Sequence, residues 1–310
     1  MINILITGGC GFIGIHLINH LLKSYDNIFI LNIDKLNYPS NINHINFINY
    51  EDRYKFIPIS ILENDKIYSL LSEYNINYVI HCASSSDINN SFNNSINFSI
   101  DNIIGTHYLL EAIKKYDKLT RFIHLSNIEL INDNNLNPYS ATKLSTEILI
   151  KSYHIPYSII RLPTIFGKYQ YHKKLIPSFI NLLNGNEKIT IYGNGNNHIH
   201  LLYINDIINA IIIILFNDII GTTAIYSSKS KYSIIDIASI IIKLIKGNDI
   251  DINEWITFIN DDKHLINNID NLNHSNDLYK LEELGFNINS NDFINNLSDT
   301  INFYKNIKVD

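Results

Sequence analysis

The sequence predicts an α/β protein: a doubly wound parallel sheet with a smaller C-terminal α/β lobe. Three observations carry this. Short β-like runs alternate with helix-length segments through the first half, which implies a parallel sheet covered on both faces. Residues 1–7 (MINILIT) form an apolar run suited to a buried strand and lead straight into Gly8-Gly9-Cys10-Gly11-Phe12-Ile13-Gly14 and a helical stretch. Asp34 then closes the next apolar run, twenty residues after Gly14.

Taken in order, strands are expected at 3–7, 27–33, 55–59, 78–82, 121–126 and 157–162, with helices at 12–23, 65–74, 100–116 and 139–153 between them. A strand, a glycine turn and a helix N-terminus make an anion site, because free backbone N–H groups and the helix dipole converge there. The glycines let backbone approach a pyrophosphate and let the helix pack close to the strand. A carboxylate at Asp34 is placed to accept hydrogen bonds from an adenosine ribose and to repel a 2′-phosphate. The reading is therefore a Rossmann-type fold that binds NAD rather than NADP.

After Gly167 the pattern changes. Helices are expected at 174–183, 205–216, 233–245 and 292–304, a strand at 188–192, a turn-rich loop at 193–197 and a polar loop at 261–276. The expected division is a dinucleotide-binding domain over 1–170, rejoined by 198–227, and a substrate lobe formed by 171–197 and 228–310. No period of 20–50 residues marks a repeat array.

Composition narrows the function classes. Hydrophobic residues make up 46% of the chain and charged residues 17%, enough to bury a core. The net charge of −6 argues against a nucleic-acid partner, which needs a basic face. Arginine occurs only at Arg53, Arg121 and Arg161, so bidentate phosphate clamps are scarce. Cys10 and Cys82 sit at expected strand ends, and no metal-ligand spacing is present. A reducing compartment is expected. No basic segment with a signal-type apolar stretch opens the sequence, and 207–216 is too short to span a bilayer, so a cytoplasmic protein without a membrane partner is expected. The Asn-Xaa-Ser matches at Asn93 and Asn97 are read as chance in an Asn-rich chain.

Tyr139-Ser140-Ala141-Thr142-Lys143 places a tyrosine and a lysine on one face of an expected helix, roughly 6 Å apart along its axis. A neighbouring lysine lowers a phenol pKa by charge proximity. The phenolate can then take a proton from a substrate hydroxyl while hydride leaves the adjacent carbon. Alone, such a pair is most often ordinary surface. Behind a dinucleotide fingerprint, after Pro138 and a strand ending in Ser126, it reads as catalytic.

The chain resembles the extended short-chain dehydrogenase/reductase (NAD-dependent epimerase/dehydratase) family, and within it the dTDP-glucose 4,6-dehydratases. The segments that carry this are TGGCGFIG (7–14), LNIDKLNY (31–38), HCASSSD (81–87), NIIGTHYLLEA (102–112), RFIHLSNIEL (121–130), NPYSATK (137–143), IIRLPTIFGKYQYHKKLIP (159–177) and IYGNGNNHIHLLYINDI (191–207). By this resemblance Gly8, Gly11, Phe12, Ile13 and Gly14 border the pyrophosphate, and Asp34 holds the adenosine ribose. His81 and Ala83 lie beside the cofactor, and Asn102 buttresses the strand edge. Tyr139 is the base, and Lys143 binds the nicotinamide ribose and tunes Tyr139.

The departures are equally informative. The family's strand before the catalytic tyrosine ends in Ser-Thr-Asp-Glu; here it reads Ser126-Asn127-Ile128-Glu129. Glu129 survives as the acid–base residue. Asn127 retains hydrogen bonding without a hydroxyl. Ile128 can neither donate nor accept a proton. The loop from Glu129 to Pro138 is shorter than in the family. Thr164 replaces a family Asn, Ile199 followed by His200 replaces an Arg, Lys263 and His264 stand for an Arg-rich stretch, and Ser60 stands where an Asp contacts adenine. Lys173, Lys174, His198 and His200 are the remaining candidates to compensate a diphosphate.

Three readings follow. The first is a dTDP/UDP-glucose 4,6-dehydratase-like enzyme acting on a nucleotide-diphosphate sugar: C4 oxidation, elimination of water helped by Glu129, and hydride return to C6. The second is a nucleotide-sugar C4 epimerase or ketoreductase, which needs Tyr139 and Lys143 but no acid at position 128. The third is a non-catalytic NAD-binding relative. A homodimer through helices 100–116 and 139–153 is expected by the same resemblance.

Overall fold

The computed structural model describes residues 1–37, 39–128, 137–225, 231–260, 281–287 and 292–305. Glu129, Lys263, His264 and the expected loop at 261–276 lie outside the described residues.

The chain divides into two compact units. The first comprises Met1–Leu162, Ile208–Ile225 and the described part of Ser275–Phe286. Its strands are β1 (Ile2–Thr7), β2 (Ile28–Ile33), β3 (Tyr54–Ile57), β4 (Tyr78–His81), β5 (Arg121–Asn127) and β6 (Tyr157–Leu162). With β10 (Gly221–Ala224) they form one seven-stranded sheet in the order β10-β6-β5-β4-β1-β2-β3. Every pairing in it is parallel. The order reverses direction between β1 and β4, which makes the crevice beyond their carboxyl ends the expected ligand position.

Helices cover the sheet: α1 (Phe12–Ser24), α2 (Asn64–Glu73), α3 (Ile88–Asn93), α4 (Ser95–Phe98), α5 (Gly105–Tyr116) and α6 (Pro138–Ser152). Buried strands read as continuous apolar runs because both faces are covered. Leu5, Leu31, Val79, Phe122 and Ile159 from five strands pack with Ile67 and Leu71 of α2 and Leu109, Leu110 and Ile113 of α5. Each such side chain contributes about 1.5–3 kcal/mol by leaving water.

The second unit comprises Pro163–Ile207, with the described parts of Tyr226–His274 and Asn287–Asp310. It holds β7 (Thr164–Phe166), α7 (Leu175–Asn184), β8 (Ile189–Tyr192), β9 (His198–Tyr203), β11 (Lys231–Ser233), α9 (Ile234–Lys246), β12 (Ile256–Ile259) and α10 (Phe293–Lys305). Helix α8 (Ile204–Phe216) begins in this unit and ends in the first. A three-stranded sheet runs β11-β9-β7 and a two-stranded one β12-β8. Phe166 packs on Tyr203 and Phe293, with ring centroids 5.3 and 5.6 Å away.

Several elements differ from the sequence expectation for identifiable reasons. Strand β3 stops at Ile57 instead of residue 59, because Pro58 cannot donate to a ladder. The expected helix 100–116 opens as a π-helical turn, Ser99–Ile104, and is α-helical only from Gly105. The turn's widened geometry leaves the Asn102 carbonyl open to the Thr106 hydroxyl, 2.6 Å away. Strands β7, β10 and β11 are too short to show a period, and β9 follows a loop whose glycines masked its start.

Candidate active site

The site is built where β1 and β4 end. The Gly8 N–H donates to the Ile33 carbonyl at 2.8 Å, tying the turn to β2. Gly8 has φ +68°, and a Cβ there would lie 2.6 Å from the Ala83 backbone. A Cβ on Gly14 would lie 2.5 Å from Gly9 Cα. Only glycine lets the turn, the helix and the end of β4 approach this closely. Gly11 is the N-cap of α1 and no side chain caps the first turn, so the N–H groups of Phe12 and Ile13 face outward from a helix N-terminus. The cradle fits a pyrophosphate.

Asp34 follows β2 and is 6% exposed. Its Oδ2 accepts the Cys10 N–H at 3.1 Å and its Oδ1 the Leu36 N–H at 2.8 Å. Burial pushes this carboxyl up, and those two N–H groups act against it. The carboxylate thus clasps the glycine turn through the Cys10 N–H. Burial also raises the Cys10 and Cys82 thiols to about 12, which disfavours the thiolate form of both.

His81 ends β4 and is fully engaged. Thr106 Oγ1 donates to the Asn102 carbonyl, so it accepts from His81 Nε2 at 2.8 Å. Thr7 Oγ1 accepts the Ala83 N–H at 3.3 Å and lies 2.6 Å from His81 Nδ1, to which it donates. His81 is neutral, with burial lowering it to about 3. Its ring locks β1, β4 and the helix after the π turn together, and its nitrogens are not available to a ligand. Asn102 extends the brace. Its Oδ1 accepts the Ser85 N–H at 2.8 Å, and its Nδ2 donates to the Ser85 carbonyl at 3.0 Å and to Thr142 Oγ1 at 2.9 Å. The segment after β4 is thereby bonded to the helix that carries the Tyr-Lys pair.

Helix α6 starts at a capping box. Asn137 Oδ1 accepts the Ser140 N–H at 2.9 Å, Ser140 Oγ accepts the Asn137 N–H at 2.8 Å, and Pro138 fills the first helical position. Tyr139 therefore sits in the first turn, half-buried, with its ring edge-on to Phe98 at 6.5 Å. Lys143 lies one turn on and is 4% exposed. Its Nζ donates to the Leu125 carbonyl at 2.6 Å and approaches His124 Nε2 at 3.2 Å. Burial lowers Lys143 from 10.5 to about 8, against the pull of Glu147. An ammonium here is poised to change charge near neutral pH.

Ser126, at the end of β5, donates its hydroxyl to Glu147 Oε1 at 2.7 Å. Glu147 is completely buried and also pairs with Arg161, so Ser126 is part of the scaffold. Asn127 is half-buried at the strand's last position. Ile128 is 1% exposed, an apolar side chain in the core. Ser60, proposed by position to meet an adenine, accepts the Leu62 N–H through Oγ at 3.2 Å. The sequence reading did not single out His124, Thr7, Thr106, Thr142 or Glu147. Only Glu147 had a signal, its four-residue spacing from Lys143.

All three arginines serve the first unit itself. Arg53 donates to the Leu22 and Tyr25 carbonyls, Arg121 to the Ile214 carbonyl and Asp218, and Arg161 to Glu147. In the second unit Ile199 is buried on β9 between half-buried His198 and buried His200, Thr164 opens β7, and Lys174 caps α7. Among the described residues no group of His, Cys, Asp and Glu is arranged to hold a metal ion, and no helix is long and apolar enough to cross a membrane.

The model of the NAD dependent epimerase/dehydratase family matches residues 4–223. The chain is 41% identical over 268 residues to a dTDP-D-glucose 4,6-dehydratase of Dictyostelium discoideum. That match covers 78% of this chain and 62% of the relative's length. Among solved structures it resembles dTDP-glucose 4,6-dehydratase from Bacillus anthracis in complex with NAD, with TM-score 0.83 and 25% identity over 98% of this chain and 97% of that one. It also resembles UDP-glucuronic acid 4-epimerase from Bacillus cereus in complex with UDP-glucuronic acid and NAD, with TM-score 0.82 and 26% identity over 98% and 99% of the two chains.

Proposed function

The chain belongs to the NAD dependent epimerase/dehydratase family, and on that premise we propose that it is an NAD-linked enzyme acting at C4 of a nucleotide-diphosphate sugar, of the 4,6-dehydratase type. The observation that carries this is the buried Lys143 ammonium, fixed at the end of β5 one helical turn after Tyr139. The chemistry a bound NAD supplies is reversible hydride transfer.

The chain's own residues do the rest. The glycine turn and the first-turn N–H groups of α1 hold the pyrophosphate, and Asp34 accepts from the adenosine ribose. Lys143 donates to the nicotinamide ribose and lowers the Tyr139 phenol, which takes the proton of the C4 hydroxyl. Glu129 assists loss of water, with Asn127 orienting the sugar. The first unit is the dinucleotide domain and the second supplies the substrate lobe.

One observation favours a second reading, a C4 epimerase or ketoreductase. Ile128 is buried where the dehydratase pattern has a carboxylic acid, and these reactions need no acid there.

Ile96, Ile100, Ile104 and Tyr108, along the run that leads into α5, and Ile148 of α6 are 39–75% exposed, which supports a homodimer through these helices. Two free cysteines support a reducing, cytoplasmic setting.

The test is mass spectrometry coupled to isomer-resolving chromatography of the protein with NAD and a panel of dTDP- and UDP-hexoses. Loss of one water establishes the dehydratase, and Tyr139→Phe abolishes it while retaining NAD binding. A product isomer of unchanged mass establishes the epimerase. An unchanged panel with intact NAD binding overturns both.

A further inference from the structure

His124 lies in the middle of the site's floor and has no place in the mechanism above. It is 1% exposed on β5, and its ring stands 5.2 Å from that of His81 and 6.4 Å from that of Phe122. Its Nε2 is 3.2 Å from Lys143 Nζ, and its Nδ1 is buried with no hydrogen-bond partner among the described residues. A buried imidazole nitrogen without a partner is destabilising. An apolar ring would fill the same space without that cost.

Resting on the reading of Lys143 as the cofactor-ribose donor, we propose that His124 is a positioning residue: its Nε2 accepts one N–H of the Lys143 ammonium and, with the Leu125 carbonyl, leaves one N–H for a ligand hydroxyl. An ammonium has three equivalent donors on a freely rotating head. One acceptor, the Leu125 carbonyl, already sets the torsion of the head in a shallow well; a second acceptor in a different direction deepens that well and holds Nζ itself in place, so that the third N–H keeps one direction.

The tautomer follows. An acceptor Nε2 places the ring proton on Nδ1, the atom that lacks a partner. His81 holds the opposite tautomer, with its proton on Nε2 toward Thr106. Two neighbouring histidines, tilted by 32°, thus carry opposite tautomers, each set by the hydrogen bond its Nε2 makes. The titratable groups facing Lys143 are Glu147 on its own helix, Cys82 and His81 at the end of β4, and His124 on β5. Burial keeps both imidazoles neutral, so the carboxylate facing the Lys143 ammonium is Glu147, which is also bound by Arg161 at 2.7 Å and approached by Lys151 at 3.7 Å.

Two measurements test this. The first is 15N-edited imidazole NMR of the protein without cofactor at pH 7, with His124 assigned by its loss in His124→Phe. The expected result is a neutral Nδ1–H ring; an Nε2–H ring or an imidazolium overturns the proposal. The second is NAD affinity by calorimetry for His124→Phe, which keeps the ring and removes the acceptor, and His124→Gln, whose amide oxygen can reach the Nε2 position. The expected result is about tenfold weaker binding for the first and recovery to within about twofold for the second. Equal affinities for the two overturn the proposal. If His124→Phe fails to fold, the His124 signal is assigned by its loss in His124→Gln instead, and the tautomer and the affinity of the Gln variant decide. If the unaltered protein does not bind NAD, the cofactor reading falls, and the tautomer still tests the Lys143–His124 contact independently.

Discussion

Glu147 grips Arg161 through two parallel hydrogen bonds, Nε to Oε1 at 2.9 Å and Nη2 to Oε2 at 2.7 Å, and takes a third from the Ser126 hydroxyl. This buried fork joins α6 to the ends of β5 and β6. Burial works against the carboxylate charge, and Arg161 and Ser126 hold it below the usual range. Removing one partner leaves a charge without compensation, which costs about 3–5 kcal/mol. Glu147→Ala is expected to lose that much stability in urea unfolding. The double variant Glu147→Leu with Arg161→Met is expected to lose less than the two single variants added together. Additive losses would show that the pair is not coupled.

Gly14→Ala is expected to abolish NAD binding. The new Cβ would lie 2.5 Å from Gly9 Cα and 2.6 Å from the Gly8 carbonyl oxygen, both backbone atoms that cannot swing away. Relief requires α1 to move off the turn, which carries the first-turn N–H groups out of the cradle. Calorimetry with NAD checks this, and binding within about threefold of the parent would contradict the cradle's role. Gly11→Ala is the milder companion, with its Cβ 3.2 Å from the Gly8 carbonyl oxygen.

Asp34→Ser is expected to shift cofactor preference toward NADP by at least about tenfold, since a carboxylate repels a 2′-phosphate and a hydroxyl does not. The absolute NAD affinity is expected to fall too, because Asp34 also accepts the Cys10 N–H that orders the glycine turn. The ratio of the two dissociation constants separates these effects. A ratio unmoved by the substitution would remove Asp34 from the ribose site.

The parts legible in the sequence are those whose cause is local. The first strand, the glycine turn and Asp34 announce themselves because a parallel strand buried on both faces must be apolar throughout, and because only glycine tolerates the close approach at Gly8 and Gly14. That Tyr139 and Lys143 lie one turn apart on a single helix is legible from their spacing, while their reading as a site pair takes the glycine turn, Pro138 and the strand ending in Ser126 as context. The supporting layer was not. Thr7, Thr106 and Thr142 are common residues whose roles exist only once β1, β4, the π turn and α6 converge. The resemblance places His81 beside the cofactor, but the sequence gives no sign that its two ring nitrogens are taken by Thr7 and Thr106. The arginines show the limit from the other side. Their scarcity was plain in the sequence, but that all three are taken up by carbonyls and carboxylates of the first unit needed coordinates.

Lys143 also makes stability depend on pH in a definite direction. Burial lowers it to about 8 from 10.5, so between these values the unfolded chain binds more protons than the folded one. Stability carried by this group therefore rises as pH increases from about 8 to 10.5. Below 8 the penalty for burying the ammonium is present in full, lessened by Glu147 and the Leu125 carbonyl. Other groups titrate in the same range, so the comparison is with Lys143→Met, which keeps the aliphatic stem and removes the charge. In urea unfolding without cofactor, Lys143→Met is expected to be more stable than the parent at pH 7. That advantage should shrink steadily toward pH 10, as the parent sheds its proton on folding. Parallel stability curves for the two proteins across this window would mean that Lys143 is not held charged in a dry site, and would take away the physical basis for the proposal that it tunes Tyr139.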